Sequence, residues 1–234
     1  MEQHIQVPKM NLRREGLTIN DPFVYACIKK FMNNETKQAF PSNNTLVEVS
    51  GLNSKTITAS INRLEKAGYF TVKREMGKPN IYTFNDYKQF EIFSYDFIDN
   101  PDLTPKEKSY LVASQQFMFK NAETMQGKIS LSADKFANGI GLSLPTLRKY
   151  ENSLKEKEVL TTVPIKRDNA TGLAVEARLY DFDKILNVIA CKFNQHDQQI
   201  AQNTHDIKML QDTIIQLQKR LDSYEKKETP QIIL

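Results

Sequence analysis

The sequence predicts a chain that is mainly α with small β-hairpins: two tandem winged helix-turn-helix domains followed by a long coiled-coil helix. Three observations predict it. A two-helix pattern over residues 45–70 returns without a gap ninety positions later, over residues 135–160. Each copy is followed by two short runs of β-forming residues around a basic turn. From Leu186 onward the apolar period changes to heptads. The expected boundaries are 1–86 for the first winged helix, 87–102 for a linker, 103–183 for the second winged helix, 184–228 for a dimerisation helix and 229–234 for a tail.

In the repeat, Leu46 aligns with Phe136, Gly51 with Gly141, Leu52 with Leu142, Thr56 with Thr146, Ile57 with Leu147, Asn62 with Asn152 and Leu64 with Leu154. Such a repeat is one folding unit used twice. Asp21-Pro22 opens a helix whose apolar stripe is Phe23, Val24, Cys27, Ile28 and Phe31. Ser42 caps a second helix that turns Leu46, Val47 and Val49 inward. Gly51 gives the turn its permissive backbone, Leu52 plugs the angle between helices, and Asn53 caps a third helix carrying Ile57, Ile61 and Leu64. Gly68 ends that helix. Two helices joined by a short Gly-containing turn are a helix-turn-helix. Residues 69–72 and 81–84 then read as strands around turn residues 73–80, which makes the hairpin a wing. Ile5-Gln6-Val7 forms a short strand that Pro8 ends, and the aromatics Tyr87, Phe90, Phe93, Tyr95 and Phe97 indicate a linker that packs.

The second unit opens at Thr104-Pro105, a cap and a first helical position, with Tyr110, Leu111, Val112, Phe117 and Met118 in its first helix. Pro145 falls in the first turn of the second helix of the repeat. A strand over 161–165, a wing containing Lys166 and Arg167, and a return strand ending at Phe182 complete it. Both wings begin with Lys-Arg followed by an acid.

The heptads place Leu186, Phe193, Ile200, Ile207, Ile214 and Leu221 at a, with Ile189, His196, Asn203, Leu210, Leu217 and Tyr224 at d. Ile at a with Leu at d favours a parallel homodimer, and Lys192 to Asp197 and Arg220 to Glu225 have the spacing that pairs charges across one. Asn203 is the polar layer that fixes register. The alternative is one amphipathic helix folded back on the domains. The expected dimerisation residues are Leu186, Ile189, Phe193, Ile200, Asn203, Ile207, Leu210, Ile214, Leu217 and Leu221.

The net charge of +4 and pI near 8.9 are too mild to name a polyanionic partner by themselves. No apolar run reaches a membrane span and the first residues lack a signal core, so a cytoplasmic protein without a membrane partner is expected. Cys27 and Cys191 sit in apolar patterns and read as thiols rather than a disulfide. His4, His196 and His205, with no cysteine pair at metal-ligand spacing and no glycine-rich phosphate loop, give no catalytic or metal constellation. The expectation is a non-enzyme without cofactor or metal.

With Ile57, Ile61 and Leu64 inward, the outward side of the third helix carries Ser54, Lys55, Thr56, Thr58 and Asn62. The second copy carries Thr146, Arg148, Lys149, Asn152 and Lys155. Small polar, basic and amide side chains at this position can enter a major groove, whose edges Asn and Arg read through paired hydrogen bonds, and Asn62 and Asn152 are the expected base contacts, preferentially to adenine. Lys73, Arg74 and Lys78 on one wing, and Lys166 and Arg167 on the other, would reach phosphates. Double-stranded DNA is therefore the expected partner, and a protein-binding adaptor is the alternative.

Residues 5–84 carry Ile5-Gln6-Val7-Pro8, Phe40-Pro41-Ser42-Asn43-Asn44-Thr45-Leu46, the run from Ile61 to Phe70 with Leu64-Glu65-Lys66-Ala67-Gly68, and Asn80-Ile81-Tyr82. This stretch resembles the winged-helix domains of replication-initiation and regulatory proteins from phages and plasmids of Gram-positive bacteria. Residues 103–182 match more loosely: Glu158 replaces the glycine and the Pro-Ser start is absent. The tandem pair also resembles plasmid initiators. The resemblance implies sequence-specific DNA binding in replication initiation or transcription control of a mobile element, with replication or transcription proteins as further partners.

Overall fold

The computed structural model describes residues 4–120, 126–167 and 174–181, together with residues 203, 207–211, 213–214 and 217–218, which are helical. The chain divides into two compact units, Met1–Ala190 and Cys191–Leu234.

At the centre of the first copy is α1 (Asn20–Lys29), buried on all sides from Asp21 to Ile28. A helix apolar all round needs cover on every face. Here α2 (Asn43–Ser50), α3 (Ser54–Lys66) and α5 (Pro105–Ser114) supply it. The wing is the hairpin of β3 (Phe70–Lys73) and β4 (Ile81–Phe84), extended by β2 (Gln38–Ala39) in the order β2-β4-β3. Tyr25 from α1 joins the wing to the core, stacking on Phe70 and meeting the rings of Tyr69 and Phe84 edge-on.

The second copy rests on α5, α6 (Ala133–Gly139) and α7 (Leu144–Glu156). Its sheet runs β6-β7-β9-β8, with β6 (Phe119–Lys120), β7 (Gln126–Ser132), β8 (Leu160–Arg167) and β9 (Ala174–Asp181). Thr104 and Glu107 close a capping box at the start of α5.

The repeat extends to hydrogen bonds. Ser42 Oγ accepts from Thr45 N and Asn53 Oδ1 from Thr56 N, and ninety residues on Ser132 and Ser143 cap α6 and α7 through Lys135 N and Thr146 N. The helix-turn-helix glycines are both left-handed, Gly51 at φ 65° and Gly141 at φ 72°. A side chain at Gly51 would place its Cβ 2.6 Å from Pro105 Cγ, so the first turn lies directly against the start of α5. Gly68 ends α3 at φ 82°, and Glu158 holds the matching left-handed position after α7 at φ 57°.

The expected fold class needs correction. A mainly α chain with isolated hairpins is not what forms: among the described residues there are three sheets, of two, three and four strands. The two-stranded sheet joins β1 (His4–Pro8) antiparallel to β5 (Phe90–Ser94), Ile5 facing Phe93, both fully buried. Here the segment after the first wing becomes a strand and then α4 (Tyr95–Asp99), because Phe93, Phe97 and Ile98 are needed in the core. In the second copy β7 pairs with β9 along its whole length and widens the expected hairpin. Lys166 and Arg167 belong to β8 itself rather than to the turn the sequence predicts after it.

The long coiled coil is the other correction, since the described residues show none. Leu186, Ile189, Phe193, Ile200 and Leu221 of the expected seam lie outside the described residues. Asn203, Ile207, Leu210, Ile214 and Leu217 are helical and exposed, the four apolar ones at 53–63%. Knobs need holes on a facing helix, and a heptad pattern alone does not provide that helix.

Candidate nucleic-acid interface

The helix α3, second of the helix-turn-helix pair, is held in place by a charge. Arg63 donates from Nε and one terminal nitrogen to the two carboxylate oxygens of Asp21, each at 2.7 Å, and Asp21 is fully buried at the start of α1. Asp21 also accepts from Thr18 N at 2.7 Å. Hydrogen bonds to the Asp21 carboxylate raise the pKa of the Arg63 guanidinium above its ordinary value. A two-pronged pair fixes geometry as well as charge. It therefore sets the roll of α3 on α1, burying Ile57, Ser60, Ile61 and Leu64.

That roll exposes Ser54, Lys55, Thr58 and Asn62, with Thr56 half-buried beside the cap. Asn43 Nδ2 donates to Ser54 Oγ at 2.5 Å, tying the starts of α2 and α3 together. Asn62 faces the wing, and its Oδ1 accepts from Arg74 at 3.3 Å. Arg74 makes its stronger contacts with Glu65, at 2.7 and 3.1 Å. Lys73 and Lys78 share Glu75, at 2.8 and 2.7 Å. All three wing cations thus rest on carboxylates in the free protein. The bond from Arg74 holds Glu65 below the usual carboxylate range, and bonds from Lys73 and then Lys78 do the same for Glu75. Such exposed pairs are weak and screened by salt, so phosphate oxygens can replace the carboxylates as partners.

On α7, Lys149 and Asn152 are exposed, and Thr146 and Lys155 are half-buried. Thr146 shares a 2.8 Å hydroxyl contact with Ser143 at the helix start. Arg148 departs from the expected outward pose: it is half-buried and donates to Glu151 Oε2 at 2.8 Å. Glu151 in turn accepts from Arg178 Nε on β9, and neither Glu151 nor Arg178 reaches solvent. The side chains of Lys166 and Arg167 and residues 168–173 lie outside what is described.

Sequence reasoning missed the acids that organise these cations. Asp21 was visible only as a helix opener, and its partner Arg63 lies 42 residues away. Glu65 had a local signal, nine residues before Arg74. Glu151 had a sharper one, since a carboxylate stands where the first copy has the core residue Ile61.

A model of the helix-turn-helix domain family matches residues 15–69, from the loop before α1 to the end of α3. The matched stretch holds Asp21, Arg63 and every proposed reading residue of α3. No curated protein matches the sequence. A helix-turn-helix domain points to DNA binding in general, and among the described residues no helix is long and apolar enough to cross a membrane.

Proposed function

We propose that the chain is a non-catalytic, sequence-specific binder of double-stranded DNA that works in the cytoplasm as a dimer, in replication initiation or transcription control of a phage, plasmid or other mobile element. The single observation that carries DNA reading is the exposed amide of Asn62 on α3, beside a wing that offers Lys73, Arg74 and Lys78. In a major groove that amide would pair with an adenine edge, and the wing cations would exchange their carboxylates for backbone phosphates. The mobile-element role rests on the sequence resemblance of residues 5–84. Self-association rests on Ile207, Leu210, Ile214 and Leu217, four exposed apolar side chains at helical spacing that a second copy would cover. Replication or transcription proteins would then be recruited to the bound site.

The test selects bound duplexes from a random pool with the full chain, then compares Asn62→Ala and Lys73→Ala on the selected site and on a scrambled one. Asn62→Ala should relax preference at one base position by about 1–3 kcal/mol. Lys73→Ala should weaken both duplexes alike and reduce the salt slope by about 0.9. Equal, sequence-independent losses from both changes would refute base reading by Asn62. One observation favours an adaptor instead: the wing cations are already matched by the protein's own acids. An adaptor would select no sequence from the pool.

A further inference from the structure

A cavity of about 570 Å³ lies where the loop after β1 meets the start of the second copy. Its size falls within the range of small-molecule sites, roughly 300–1,000 Å³. One wall is Lys9 to Arg13 with Glu15; the other comes from Gln116, Phe117 and the α6 residues Lys135, Asn138 and Gly139. Three cations stand around it, Lys9, Arg13 and Lys135, all exposed. Its exposed apolar surface is the ring of Phe117, which is 37% exposed; Met10 and Leu12 belong to the lining but are only 2% exposed.

Two features make this a built site. Gly139 leaves room for the Phe117 ring, because a Cβ there would fall 2.9 Å from Cζ, and Phe136 meets the same ring edge-on. The ring is thus held at the wall although much of it faces solvent. The two walls are also cross-linked: Arg13 donates to Asn138 Oδ1 at 3.0 Å, and Met10 N donates to Gln116 Oε1 at 3.1 Å. The only acid on the lining, Glu15, is engaged by the Tyr69 hydroxyl at 2.5 Å.

We infer that this cavity binds a small molecule with a flat apolar body and an anionic group, the body against the ring of Phe117 and the anion between Arg13 and Lys135. Guanidinium and ammonium donors at the mouth select negative charge, and a fixed ring selects a planar body. Tyr69 follows α3 and Lys135 lies on α6, so an occupant would touch the surroundings of both helix-turn-helix motifs. Binding itself does not depend on the DNA reading.

The probe is 8-anilinonaphthalene-1-sulfonate, titrated by fluorescence into the full-length protein. The double variant Arg13→Glu/Lys135→Glu should bind it at least about tenfold more weakly, the size expected for losing a charged hydrogen bond. Lys55→Glu, a charge reversal on α3, should bind it as the parent does. N-phenyl-1-naphthylamine, the same body without the sulfonate, should not distinguish the parent from the double variant. Equal affinity of parent and double variant for the sulfonate, or an equal drop for the uncharged probe, would overturn the assignment. Far-UV circular dichroism checks that the charge-reversed chain is folded, and Phe117→Ala, which keeps all charges, should weaken the sulfonate severalfold; an unchanged titration there would overturn it as well.

Discussion

Replacing Glu151 by alanine tests how the second copy of the repeat is held together. Glu151 and Arg178 are both fully buried, and their ion pair joins α7 to β9. Glu151 also accepts from Arg148 at 2.8 Å, and Arg178 donates to the Leu131 carbonyl on β7 at 2.9 Å while lying 5.0 Å from the centre of the Phe136 ring. Glu151→Ala leaves the Arg178 guanidinium buried without its carboxylate, and removing one partner of a buried pair costs about 3–5 kcal/mol. Arg178→Met should cost less, because Glu151 keeps Arg148, whose side chain is 37% exposed and close to water. The first copy supplies the control: Ile61 fills the position of Glu151 and is 4% exposed. The double change Glu151→Ile/Arg178→Met should therefore return to within about 1 kcal/mol of the parent, since apolar residues often replace a buried pair without loss. Urea unfolding followed by circular dichroism at neutral pH measures all three. A cost under about 1 kcal/mol for Glu151→Ala, or a double variant no more stable than Glu151→Ala, would refute the reasoning.

Glu158→Gly should stabilise the chain by about 0.5–1 kcal/mol. A left-handed residue with a Cβ costs roughly 1–2 kcal/mol, and glycine gives part of that back through its freer unfolded chain. A lower melting temperature for this variant would show that the Glu158 side chain contributes more than its backbone costs. Burial pushes the Cys27 thiol up from an ordinary value near 9 to about 12. Above pH 9 the unfolded state releases this proton and the folded state keeps it, so stability present below pH 9 is lost between 9 and 12 at about 1.4 kcal/mol per pH unit. In a Cys191→Ser background, Cys27→Ala should move the onset of the loss up to near pH 10, where burial-raised tyrosines such as Tyr25 and Tyr69 act with the same sign. Urea midpoints from pH 8 to 11 measure it, and an onset unmoved by the substitution would refute it.

What the sequence made legible was local. Ser42, Asn53, Gly51 and Gly68 each act within a few residues of themselves, so residue type and spacing were enough to place two helices, their caps and their turn. What it concealed was pairing at a distance. β1 finds β5 across more than eighty residues, and the partners Asp21 and Arg63 lie 42 residues apart, as do Glu151 and Arg178 across 27. None of these has a periodicity to betray it. The heptads failed for a related reason: they describe one side of a contact whose other side is another helix. On the wing the sequence placed the cations and left out the acids that hold them. Lys73, Arg74 and Lys78 are where the spacing put them, but each is held by an acid that the sequence reading left without a role.

The two copies therefore share a backbone device more than a surface. Caps and left-handed turns recur at the ninety-residue offset because the crossing of two helices allows few backbone solutions. Side chains on that frame were free to diverge, and the divergence from Ile61 to Glu151 has a consequence at the surface. A buried carboxylate on α7 needs cations, and it takes Arg178 from the sheet and Arg148 from the face that would otherwise point outward. The outward side of α7 keeps Lys149 and Asn152 exposed, whereas α3 has no such internal demand, because its own arginine, Arg63, already faces α1. Equal spacing along the sequence thus does not translate into equal outward faces, and the carboxylate in the core at position 151 is what makes them unequal.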